Sequence, residues 1–104
     1  MIVEWSPFAL AQLDAILDVI ENAQSLDVAL KWQNKIDNAV AAIEDFLYIG
    51  PPLPPATHKG FDEFFKGLRQ IVVNPYRIVY EVKDNRCEVL FCQRCGQMLS
   101  PHES

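Results

Sequence analysis

The sequence predicts an α+β domain: an N-terminal strand and an antiparallel helical hairpin packed on an antiparallel β-sheet drawn mostly from the second half of the chain. Apolar residues recur at helical spacing between residues 13 and 47. After a proline-rich break, the spacing changes to the alternation of strands. The 104 residues, half of them hydrophobic and 22% charged, suffice for one core and not for two, so residues 1–104 read as a single domain.

Ile2 to Trp5 reads as a short first strand. Ser6-Pro7 opens a helix, because a serine side chain accepts orphan N–H groups and proline suits the first helical turn. Leu13, Ile16, Leu17 and Ile20 form its apolar stripe, with Asp14, Asp18 and Glu21 turned away. Asn22 to Ser25 breaks the pattern, and Ser25 or Asp27 can cap a second helix. Its stripe is Ala29, Trp32, Ile36, Val40, Ile43 and Leu47, and the short connection makes the two helices antiparallel neighbours. Gly50-Pro51-Pro52 stops that helix and Pro54-Pro55 extends the break, leaving a stiff loop over residues 50–60. Three runs rich in Val, Ile, Tyr and Phe follow, Lys66–Val73, Tyr76–Val82 and Cys87–Gln93, separated by the turn pairs Asn74-Pro75 and Asp84-Asn85. Residues from about 97 to 104 are expected to form a mobile tail.

The formal charge is −5, unevenly spread: residues 1–50 carry eight acids against Lys31 and Lys35, and residues 51–104 carry seven Lys/Arg against six acids. A nucleic-acid binder needs a basic surface, so any basic site here must be local. No apolar run approaches the roughly 20 residues of a membrane span, and no secretory signal opens the chain. Three cysteines, an odd number, suit a reducing compartment. Cytoplasm without membrane association is the expectation.

Gly67-Leu68-Arg69, followed by Tyr76-Arg77-Ile78-Val79-Tyr80, resembles the sheet signature of the RelE/ParE toxin superfamily. Val3-Glu4-Trp5-Ser6-Pro7-Phe8-Ala9 resembles that family's first strand and helix start, and the resemblance covers nearly the whole chain. It implies the toxin component of a type II toxin–antitoxin or plasmid stabilisation system, inhibiting growth and neutralised by a cognate antitoxin protein. RelE-like members cut messenger RNA in the ribosome; ParE-like members poison DNA gyrase by protein–protein contact. A homodimer or a toxin–antitoxin hetero-oligomer is compatible with either branch.

Residue chemistry separates the branches. A metal-free ribonuclease needs several cations and a proton donor converging on one phosphate. With Val73 opposite Tyr76 and Val82 opposite Cys87, alternation puts Ile71, Val73, Tyr76, Ile78, Tyr80, Val82, Val89 and Phe91 towards the helices. Leu68, Gln70, Val72, Arg77, Val79, Glu81, Glu88, Leu90 and Cys92 fall on the other face. Arg77 is the only cation there. The resemblance gives it the place of an arginine that contacts the scissile phosphate in RelE-like enzymes, with Arg94 in the chain's ending as the second candidate. The family's other cationic positions are here Gln70 and Val72, and His58 and His102 lie in the loop and the tail. The ParE-like branch is therefore favoured. A ribosome-dependent endonuclease and a diverged, non-toxic binding module are the alternatives.

The expected site is a surface for target or antitoxin, made of the apolar patch Leu68, Val72, Val79 and Leu90 with Arg69 and Arg77. Arg69 also has a structural reading, lying along Tyr80, and Arg77 has one in pairing with Glu81 or Glu88. Those two glutamates should face each other. No cofactor or metal is expected. Cys92-Gln93-Arg94-Cys95, with Cys87 and His102, lacks the tight paired spacing of a zinc site, and Cys87 and Cys92 should point to opposite faces.

Overall fold

A computed structural model describes residues 2–101. The element order is β1 (Val3–Trp5), α1 (Pro7–Ala23), α2 (Leu26–Asp45), a 3₁₀ turn at Pro55–Thr57, β2 (Arg69–Val73), β3 (Tyr76–Lys83) and β4 (Arg86–Arg94). The capping expected from sequence is present. Ser6 Oγ accepts the Ala9 N–H at 3.1 Å and Ser25 Oγ accepts the Val28 N–H at 3.2 Å, each satisfying an orphan donor of a helix start. The second helix ends at Asp45, short of the glycine–proline stop, and Phe46 is already extended. Leu47 keeps its place in the core from a turn rather than from the helix.

The strands form one sheet in the order β1-β4-β3-β2. It is mixed rather than wholly antiparallel, because β1 runs parallel to β4, with Val3 beside Cys87 and Trp5 beside Val89. A three-residue strand holds no alternation from which its partner or direction is legible. Both expected hairpin registers occur, Val73 opposite Tyr76 and Val82 opposite Cys87. The Asn74–Pro75 peptide bond is cis. Asp84 and Asn85 both have positive φ, the backbone of a tight two-residue hairpin turn.

One irregularity redraws the faces of β4. Val79 pairs with Phe91 but Tyr80 pairs with Val89, so Leu90 is an extra residue, a β-bulge. Beyond the bulge every side chain changes face. Phe91, expected under the helices, lies on the opposite side, and Cys92, expected opposite, joins Cys87 in the helix-facing core.

That core consists of Leu13, Ile36, Val40, Ile43, Ile78, Tyr80 and Val89 with smaller neighbours. The other face of the sheet is also covered. Residues 51–68 and the turn after β4 fold across it, and Leu53, Phe65, Leu68, Val79, Phe91 and Leu99 make a second buried cluster. The expected tail is, over its described part, docked there: Leu99 is fully buried and its N–H bonds Thr57 O at 2.8 Å. Residues 102–104, including His102, lie outside the described set. No described helix is long and apolar enough to cross a membrane.

Candidate functional site

The expected apolar patch on the outward sheet face does not exist as a surface. Val79 and Leu68 are buried beneath the chain's own loop, and Leu90 packs half-buried against the same cluster. Sequence alternation placed Leu68 and Val79 on one face correctly, but gave no means of knowing that residues 51–68 return to cover it. Of the four patch residues, Val72 remains open, 52% exposed.

Arg77 is 4% exposed and serves the inside of the molecule. Its Nη2 donates to Cys95 O at 2.7 Å and to Gln97 O at 2.6 Å, holding the turn after β4 against the sheet. Its Nε is buried without a partner. Burial is the main influence on the guanidinium and pulls its pKa below the ordinary arginine value, although an arginine remains charged throughout the physiological range. It pairs with neither Glu81 nor Glu88. Those two glutamates do face each other, and Glu4 extends the row across β4. The nearby cation Arg86 bonds Glu4 at 2.6 Å.

Arg94 stands on the other side of the sheet. Its guanidinium lies 5.8 Å from the centre of the Tyr76 ring, and Tyr76 packs among Ile20 and Ala29 of the helices. Adjacent residues of a strand point to opposite faces, and Tyr76 and Arg77 are adjacent, so Arg77 and Arg94 diverge. His58 is buried in the loop, stacked on Phe65 with ring centroids 5.3 Å apart. Its Nδ1 lies 3.2 Å from the Asp62 carboxylate but is not aligned for a hydrogen bond. Cys87 and Cys92 sit in the helix–sheet core, where burial pushes both thiols up to about 11, and Cys95 lies in the turn after β4.

The open surface lies at the edge of the sheet. Arg69 is the cross-strand neighbour of Tyr80, and its guanidinium reaches on to the segment after α2. Its Nη1 donates to Gly50 O at 2.7 Å and more distantly, at 3.5 Å, to Tyr48 O, while the guanidinium stands 4.9 Å from the Tyr48 ring centre. The segment after α2 is thereby pinned beside β2, and Phe46, Tyr48 and Ile49 are left exposed. Residues 51–53 pair with the start of β2: Gln70 N–H bonds Pro51 O at 3.0 Å and Leu53 N–H bonds Leu68 O at 3.1 Å. That pairing stops before Val72. Its N–H and C=O alternate with those bonded to β3 and point the same way as Gln70's, outward at the sheet edge.

Beside this edge is a cleft of about 340 Å³ between Ala39 and Ala42 of α2, Ile49–Pro51 and Gln70–Val72. Its lining is apolar. The Gln70 side chain is 8% exposed, and its Oε1 is buried without a hydrogen-bond partner. An unpaired strand edge beside an apolar cleft is what an extended peptide engages. Sequence reasoning missed Tyr48 and Ile49. The available signal was an apolar pair falling after the helical stripe and before the proline block.

Residues 3–92 match the family of the ParE toxin of the type II toxin–antitoxin system, parDE. This chain belongs to the ParE toxin family. No curated protein matches it. Among solved structures it resembles a chain of the chromosomal ParDE toxin–antitoxin system from P. aeruginosa, with a TM-score of 0.71 and 24% identity, over 90% of this chain and 95% of that one. The likeness carries the fold. The ParE-family chain thus shares with that structure two helices packed on a four-stranded mixed sheet.

Proposed function

We propose that this ParE-family chain is the toxin of a type II toxin–antitoxin pair, that it acts by protein–protein contact on DNA gyrase, and that a cognate antitoxin neutralises it by occupying the β2 edge and its cleft. The divergence of Arg77 and Arg94 carries the reading against ribonuclease chemistry. One arginine is buried and committed to two backbone carbonyls, the other faces the helices, and no single phosphate meets both. Of the residues first considered for partner binding, Val72 and Arg69 serve it here, Val72 by contact and Arg69 by holding Tyr48 and Gly50 in place.

Induced expression tests the reading, scored in parallel for growth, gyrase supercoiling and primer-extension mapping of messenger RNA. Growth arrest with impaired supercoiling and intact messages is expected, relieved by co-expressing the neighbouring antitoxin. Ribosome-dependent cuts abolished by Arg77→Ala would replace it with the endonuclease reading. The absence of any growth effect would identify a non-toxic binding module.

A further inference from the structure

A groove of about 370 Å³ lies on the outside of the helical hairpin, well away in sequence from the β2 edge. Leu17 and Ala29 form its floor, and Leu26 and Leu30, four residues apart, form one wall with exposures of 54% and 52%. The other wall is Asp14, Asp18 and Glu21, which fall on one stripe of α1 at i, i+4 and i+7. α1 contains no Lys or Arg, and among the described residues no ion pair reaches these three carboxylates. Of the two cations in the first fifty residues, neither lines the groove, and Lys35 lies over the Trp32 ring at 4.4 Å.

We infer that this groove receives a basic amphipathic helix of a partner protein. Its leucine-like side chains would rest on Leu17, Leu26 and Leu30, and its lysines or arginines would meet Asp14, Asp18 and Glu21. The reasoning is geometric and electrostatic. The space between two antiparallel helices is filled best by the ridge of a third. Leu26 to Gln33 spans about 11 Å of helix axis, matching some two turns of such a ridge. Uncompensated carboxylates beside exposed leucines favour a partner carrying both apolar and cationic side chains. A second copy of this chain is the wrong occupant, because it would bring two sets of Asp14, Asp18 and Glu21 together.

The test uses the full-length protein and a synthetic helical peptide of roughly 18 residues, long enough to hold a helix, with leucines at i, i+4 and i+7 flanked by lysines. A control peptide carries glutamates in place of the lysines. Titration followed by amide NMR shifts and fluorescence anisotropy should move the signals of Leu17, Leu26 and Leu30, and the control should not bind. The Asp14→Lys/Asp18→Lys variant should weaken binding about tenfold or more. Leu30→Asp is the decisive variant. It adds a negative charge, so unspecific attraction would strengthen, whereas seating in the groove must weaken by a similar factor. Leu26→Gln serves the same purpose if Leu30→Asp does not fold. No binding, shifts on another face, or unchanged or tighter binding by the leucine variants would overturn the inference.

Discussion

The Tyr80 hydroxyl accepts the Gly50 N–H at 2.9 Å, tying the segment after α2 to an interior strand of the sheet. Arg69 grips the same residue from the other side through its carbonyl oxygen. Gly50 is therefore bonded through both backbone polar groups, and a Cβ there would collide with the Gln70 carbonyl oxygen and come within 2.8 Å of the Tyr80 hydroxyl. Beside this anchor stand the cleft and the open stretch of β2.

Tyr80→Phe should cost about 1–3 kcal/mol, the penalty of leaving a buried donor without its acceptor. Gly50→Ala should be destabilising by a similar amount, since the atom it would strike is backbone. Urea denaturation measures both. A Gly50→Ala protein as stable as the parent would show that the close approach is not maintained in solution.

Arg77→Ala should destabilise by about 1.5–3 kcal/mol, the scale of charge-assisted hydrogen bonds lost, and should loosen the turn at residues 95–97. Hydrogen exchange reads this locally. The Leu99 amide, bonded to Thr57, should exchange faster in the variant than the amides of β3.

Cys87 and Cys92, with thiols pushed up to about 11, carry about one thiolate in a thousand at pH 8 and are also inaccessible. Iodoacetamide followed by peptide mass spectrometry should label Cys95 first and the other two only on unfolding. The same shifts set a pH dependence. From the ordinary value of 9.0 up to about 11, the folded thiols keep protons that the unfolded chain has lost, so stability falls as pH rises through that window. Cys87→Ser/Cys92→Ser should flatten this alkaline limb of the urea midpoint.

Val72→Pro should separate folding from binding. The Val72 N–H faces outward, so its removal spares the bonds to β3, and proline is tolerated on such an edge. Antitoxin affinity measured by calorimetry should fall about tenfold or more, with the fold retained by circular dichroism. Val79→Asp should instead unfold the protein, since it places a charge in the buried cluster with Phe65, Phe91 and Leu99. Equal antitoxin affinity for Val72→Pro and the parent would remove the β2 edge as the binding site.

Local chemistry was legible in the sequence. The Ser6 and Ser25 caps, the helical stripes as far as Ile43, the three long strands and both hairpin registers depend on residues close together in the chain and are present, although β2 begins at Arg69 rather than Lys66 and Leu47 lies beyond the end of α2. What required the tertiary structure was everything set by distant partners. The parallel pairing of β1 with β4 joins opposite ends of the chain. The bulge at Leu90 is an extra residue that alternation does not mark, and it reverses Phe91 and Cys92. The return of residues 51–68 over the sheet buries Leu68 and Val79, and Arg77 turns inward to carbonyls some twenty residues away. Periodicity states which side chains share a face; only packing decides whether that face meets water, because the covering segment is placed by contacts that no local pattern encodes.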